Sequence, residues 1–133
     1  MKEAAIDHNN FNGAQLYGRV AYHEFEGITI YDTERERMLK SLGDKHVLVL
    51  RNHGIAVCEA DIPLTFFLLW TVQRAAEIQC AAAAIPGPNT ALSEDVKRQC
   101  ATDAQRLKDN SSFATLLFDA MVRKMKRDCP QFA

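Results

Sequence analysis

The sequence predicts an α/β protein in which a small sheet is followed by three long helices. Strand-like segments are concentrated between residues 19 and 58, where short apolar runs are separated by polar turns. Beyond residue 60, apolar residues recur at the three- and four-residue spacing of helices with a buried face. The 133 residues are enough for one domain with a modest core. We therefore expect a single domain over residues 1–133.

The N-terminal segment is polar, and residues 9–13, rich in Asn and Gly, predict a loop. Residues 19–25 alternate partly between apolar and polar side chains, which predicts a strand, and residues 27–31 predict a second piece. Gly27 would form the bend or bulge between them. The next segment, Thr33-Glu34-Arg35-Glu36, matches a capping box with Thr33 as the N-cap. A short helix should follow and end at Gly43 in a left-handed conformation.

Two short apolar strands are predicted on either side of one polar turn. Residues 47–50 form an apolar run of strand length, which is expected where both faces of a strand are covered. Gly54 would allow a positive φ or a tight reversal and would hold His53 at a fixed angle at the strand end. An imidazole in that position suits a metal ligand or a general acid/base.

The remaining chain predicts three helices. Asp61 should cap the first, with Pro63 in its first turn, and the helix should continue to about Ala84. Its apolar residues lie around most of its circumference, so we expect a central helix covered on all sides: Phe66, Phe67, Leu69, Trp70, Ala76 and Ile78. The next two helices are predicted from Ser93 to about Lys108 and over residues 113–129.

The composition of the chain argues against several classes of function. The formal net charge of −1 gives no basic surface for nucleic acid or an anionic membrane. Residues 62–84 contain Arg74 and Glu77, so they predict a core helix rather than a membrane span. The N-terminus lacks the apolar segment of a signal peptide, and the four cysteines form no C-x-x-C pair. We therefore expect a cytoplasmic protein with reduced, buried or idle thiols, rather than a four-cysteine zinc site.

Three motifs in order resemble the class II aldolase/adducin family, and the branch nearest the adducin head domain most of all. They are residues 17–27 (YGRVAYHEFEG), residues 50–54 (LRNHG) and residues 75–79 (AAEIQ). The resemblance implies a three-layer α/β/α fold with a mainly antiparallel sheet and a long central helix. It covers residues 1–84 as the family-like core, and residues 90–133 are then a C-terminal helical extension. The family's enzymes are commonly cyclic tetramers.

The resemblance also implies a chemistry. The family's enzymes hold a divalent metal, usually zinc, through a His-x-His pair and the histidine of the N-H-G turn, which makes His53 the implied metal ligand. The metal polarises a carbonyl during aldol cleavage or epimerisation of a small hydroxy-carbonyl substrate. This sequence contains no His-x-His, because His8, His23, His46 and His53 are isolated.

We therefore expect a chain that corresponds to the C-terminal part of a family domain, is catalytically incomplete and binds no metal alone. One alternative is a zinc-dependent lyase or epimerase when the whole domain is present. Another is an adducin-like module that acts through protein contacts. An exposed sheet edge would favour a homo-oligomer. A second departure from the family is Glu59, where a glycine is usual.

For the other candidate residues we expect structural rather than catalytic roles. Tyr22 and His23 lie on a predicted strand, and we expect Tyr22 to pack with its hydroxyl bonded and His23 to contact a polar neighbour. Glu77 is expected to be partly buried and paired with Arg74.

Overall fold

The computed structural model describes residues 5–28, 31–109 and 112–132 and contains a three-stranded mixed sheet with helices on both faces. The strands are β1 (Val20–His23), β2 (Val47–Leu50) and β3 (Gly54–Val57). β2 lies between the others, parallel to β1 and antiparallel to β3, with Val47 opposite both Val20 and Val57. The α/β class is therefore confirmed, while the sheet is mixed rather than mainly antiparallel in the part described.

The turn between β2 and β3 differs in detail from the prediction. The positive φ falls on Asn52, at 58°, whereas Gly54 already belongs to β3 and needs no special conformation. Asparagine tolerates the left-handed region better than other residues with a Cβ, so it can replace glycine in this turn. The N–H of His53 donates to the carbonyl of Leu50 at 3.0 Å and closes the turn.

Five helices and one short 3-10 turn complete the described chain. They are α1 (Phe11–Gln15), α2 (Asp32–Leu42), α3 (Ile62–Ala82), α4 (Glu94–Asp109), α5 (Ser112–Asp128) and the turn Pro130–Phe132. The predicted strand piece over residues 27–31 falls partly on residues 29 and 30, which lie outside the described residues.

Helix α1 replaces the loop predicted for residues 9–13. The side chain of Asn10 caps it by accepting a hydrogen bond from the N–H of Gly13 at 2.8 Å. The side-chain amide of Asn10 also donates to the carbonyl of Asp7 at 3.0 Å. A turn-favouring sequence therefore initiates a helix, because an N-cap and a turn require the same residue types.

Two of the three predicted helix-end signals are confirmed. Asp61 accepts a hydrogen bond from the N–H of Leu64 at 2.8 Å and caps α3. Gly43 ends α2 as predicted, with a positive φ of 57°, and donates its N–H to Leu39, although its ψ of −125° lies outside the predicted left-handed helical conformation. The capping box was wrong: α2 begins at Asp32 after Tyr31, so Thr33 lies inside the first turn. Carboxylates in that turn favour the helix start through its dipole.

The core lies between α3 and one face of the sheet. Leu68, Val72 and Ala75 of α3 pack with Leu16 and Val47, and Val20 and Val57 lie against this cluster. Because side chains alternate along a strand, Leu48 faces the opposite side, where α2 packs on β1 and β2. The helices on the two faces give the three layers that the resemblance implied.

Helix α3 also leaves three large apolar side chains partly exposed: Leu69 (44%), Trp70 (40%) and Ile78 (38%). Phe66 and Phe67 of the same helix make edge-to-face contacts with Phe118 and Phe113 of α5. The prediction that other elements cover α3 on all sides is therefore wrong for these three residues, since the described residues supply helices for only part of its circumference. No helix among the described residues is long and apolar enough to cross a membrane.

Candidate functional site

The turn that carries His53 is anchored to the neighbouring strand β1. The N–H of Arg51 donates to the carbonyl of His23 at 2.9 Å, which joins the ends of β1 and β2. His53 itself is exposed. The parallel pairing of these two strands therefore brings the histidine at the end of β1 and the histidine turn to the same edge of the sheet.

His23 is the buried histidine of this edge, with 6% of its surface exposed. Its Nδ1 lies 2.9 Å from Oγ of Ser41 on α2, which fixes the plane of the ring. Its Nε2 lies 3.4 Å from Oε1 of Glu26 and has no hydrogen-bond partner among the described residues. The expectation that His23 contacts a polar neighbour is thus confirmed.

Two glutamates lie beside His23. Glu34 is buried in the first turn of α2, with 8% of its surface exposed. Glu26 follows β1 and receives hydrogen bonds from Nε of Arg37 at 2.9 and 2.8 Å, which lower the pKa of its carboxyl below the ordinary value. One donor atom each from His23, Glu26 and Glu34 lies within 4.8 Å of the others.

A small cavity of about 20 Å³ opens between these elements. Its lining includes all three members of the cluster together with Arg51 and His53. His53 therefore borders the same space as the cluster, although it is not one of the three grouped donors.

The three-histidine set implied by the resemblance does not fit the described residues. His53 has no second and third histidine grouped with it: the cluster found in the described part contains one histidine, His23, and two glutamates. His8 instead has its Nδ1 2.8 Å from the carbonyl of Gly13 and its ring against Tyr17. His46 Nδ1 lies 2.9 Å from the carbonyl of Cys58.

The remaining candidates have structural roles. Tyr22 accepts a hydrogen bond at its hydroxyl from the N–H of Ile6 at 3.0 Å, as expected, and the guanidinium of Arg51 lies 5.2 Å from its ring centre. Glu77 pairs with Arg74 as predicted, but it is exposed rather than partly buried. The four cysteines form no disulfide, and Cys58 and Cys80 are exposed rather than buried.

Sequence reasoning did not find the His23–Glu26–Glu34 cluster. Its only local signal is the spacing His23-x-x-Glu26 directly after a strand. Glu34 comes from the next helix, and no local pattern shows that its side chain faces the strand end.

The chain is similar to known proteins of the class II aldolase and adducin type. The family model "Class II Aldolase and Adducin N-terminal domain" matches residues 2–80. A Pseudomonas aeruginosa protein of the aldolase class 2 type is 30% identical over 120 residues, which cover 85% of this chain and 44% of the relative. Human beta-adducin is 33% identical over 97 residues, covering 71% of this chain and 13% of the relative.

A solved structure shows the same fold. The crystal structure of an aldolase II superfamily protein from Pseudomonas syringae superposes with a TM-score of 0.87 at 28% identity. The match covers 96% of this chain and 51% of the neighbour. The chain thus spans about half the length of the aldolase-type proteins that it matches.

Proposed function

Because the chain belongs to the class II aldolase/adducin family, we propose that it is a catalytically incomplete, C-terminal part of such a domain. The position of His53 supports this: it is exposed at the β2–β3 turn and lies outside the donor cluster found in the described residues. A catalytic zinc site needs three protein ligands, and these 133 residues contain no His-x-His. His53 would therefore bind zinc only together with ligands from another segment or another chain.

The test is a retro-aldol assay of the purified chain with zinc and a panel of small hydroxy-aldehydes and hydroxy-ketones. We expect no more turnover than for the His53→Ala variant. Zinc-dependent turnover that disappears in His53→Ala would overturn the proposal, since it would require a complete site.

For a polypeptide that also carries the His-x-His, we propose a metal-dependent aldolase or epimerase acting on a small hydroxy-carbonyl substrate. Zinc, when bound, would polarise the substrate carbonyl. The similarity to the aldolase class 2 protein of Pseudomonas aeruginosa supports this activity class. Joining a family segment that carries the His-x-His to this chain should give turnover that depends on His53. If the joined protein folds and binds zinc but remains inactive, the activity class is wrong.

An adducin-like interaction module is the second candidate, favoured by exposed apolar surface. On the face of the sheet opposite to α3, a groove of about 370 Å³ runs between α2 and the sheet, and its lining is mostly apolar: Tyr31, Met38, Leu39, Leu42, Leu48 and Ala56. Contiguous apolar surface of this kind marks protein contacts in soluble proteins. We propose that a homo-oligomer covers part of it.

A further inference from the structure

We propose that His23, Glu26 and Glu34 form a binding site for a divalent transition-metal ion, with zinc as the reference ion. One imidazole nitrogen and two carboxylate oxygens lie within 4.8 Å of one another. Imidazole and carboxylate together suit zinc and its neighbours in the first transition row, whereas calcium and magnesium prefer oxygen donors alone. The site uses none of the histidines of the family's metal set and does not depend on the proposed function.

The buried nitrogen of His23 is the observation that points to a cation. The residue is 6% exposed, and within the described part of the chain its Nε2 has no hydrogen-bond partner although a carboxylate oxygen of Glu26 lies 3.4 Å away. When Nδ1–H donates to Oγ of Ser41, Nε2 carries a lone pair and faces a second acceptor. In this tautomer the two acceptors lie 3.4 Å apart, and a positive charge between them would relieve their repulsion.

The distance between the two donors matches a zinc site. Zinc binds nitrogen and oxygen at about 2.0–2.2 Å in tetrahedral sites, which places neighbouring donor atoms about 3.4 Å apart. Nε2 of His23 and Oε1 of Glu26 are separated by 3.4 Å. The hydrogen bond at Nδ1 is the contact that orients metal-bound histidines and selects the tautomer whose other nitrogen binds the metal.

The surroundings allow a fourth ligand and an entry path. The cavity of about 20 Å³ beside the three donors is large enough for a water molecule, which needs about 10–15 Å³. The side chain of Glu26 is 30% exposed, so an ion can reach the cluster from solvent. Arg37 binds the Glu26 carboxylate as well, but each carboxylate oxygen has two lone pairs and can serve both partners.

The competing occupant of the gap is a proton, which would make His23 an imidazolium ion paired with Glu26. Native mass spectrometry of the whole chain with one equivalent of zinc distinguishes a bound metal ion from a proton. We expect one zinc per chain, kept in His53→Ala and in His46→Ala, and an affinity lowered at least about tenfold in Glu34→Gln. Because Glu34 is buried, Glu26→Gln at the exposed side of the cluster serves as a second variant, with its fold checked by circular dichroism.

Cobalt substitution provides the second measurement. Co²⁺ in the wild-type chain should give the visible absorption of a tetrahedral complex, and Glu26→Gln should weaken or abolish it. The proposal is overturned if the wild-type chain binds no zinc, or if bound zinc is lost in His53→Ala and kept in both glutamate variants. This experiment measures metal binding and not turnover. A negative result would therefore overturn the metal site alone, and the retro-aldol assay still tests the proposed function.

Discussion

The ammonium group of Lys108 lies 2.6 Å from Oε2 of Glu59, whose side chain is 2% exposed. Nδ1 of His46 lies 3.6 Å from the same oxygen. Burial lowers the pKa of Arg19, and the charge of Glu59 partly opposes that shift. The residue that departs from the family's glycine therefore connects the last turn of α4 to the end of β3.

Replacing Lys108 by Met should lower the free energy of unfolding by about 3 kcal/mol, because it leaves a buried carboxylate without its cation. Urea unfolding followed by circular dichroism measures the change. The double variant Glu59→Gln/Lys108→Met should recover part of the loss. Lys124→Met removes an exposed pair with Asp128 and serves as the control with little change. Equal midpoints for Lys108→Met and Lys124→Met would contradict the structural role of the pair.

Gly13→Ala should destabilise the chain by about 1–3 kcal/mol, since its methyl group would overlap the carbonyl oxygen of Asp7. Gly54→Ala is the matched control: apart from its chain neighbours, no atom of the described residues lies within 4 Å of the added methyl group, and the φ of Gly54 is not positive. Thermal unfolding of the two variants gives the comparison. A Gly13→Ala melting temperature equal to that of Gly54→Ala would show that α1 is not packed as described.

His53→Ala should change the free energy of unfolding by no more than about 0.5 kcal/mol, because the side chain is exposed. The hydrogen bond that closes the turn uses the backbone N–H and survives the substitution. Asn52→Ala at the neighbouring position should cost about 1–2 kcal/mol, since its φ is 58°. Chemical denaturation of both variants checks this, and a large loss in His53→Ala would refute it.

The carboxyl of Glu26 should titrate below its ordinary pKa of 4.5, because Arg37 donates hydrogen bonds to its charged form. A lowered carboxyl pKa stabilises the fold above the unfolded-state value, and this contribution is lost as pH falls through the folded-state value. NMR titration with a chelator present should show the pKa rising in Arg37→Met. Arg35→Met, two residues before Arg37, should leave the pKa of Glu26 unchanged. A rise of equal size in both variants would point to long-range charge instead.

Light scattering after size-exclusion chromatography should give a mass above that of the 14.9 kDa monomer. Trp70 of α3 is 40% exposed, and a charge at this position should disrupt the contact. Trp70→Glu should shift the mass toward the monomer. A monomeric wild-type chain would argue against the homo-oligomer.

Much of the fold could be predicted because the signals were local. The spacing of apolar residues indicated α3, α4 and α5, and Asp61 and Gly43 marked two helix ends with short-range hydrogen bonds. The apolar run at residues 47–50 indicated β2, and the polar residues that follow this run indicated the turn with His53. The misplaced start of α2 has a local cause as well, since Asp32 and Thr33 are both residues that favour a helix N-terminus.

The sequence by itself determined that β2, α3, α4 and α5 form, where the histidine turn lies and which family the motifs resemble. Only the tertiary structure decided that β1 pairs parallel to β2, that Glu34 faces His23 and that Lys108 reaches Glu59. The physical reason is the separation along the chain of the residues that interact. Helix periodicity and helix caps are set by residues within a few positions of one another. Contacts between elements depend on strand register and helix packing, which the whole chain sets at once.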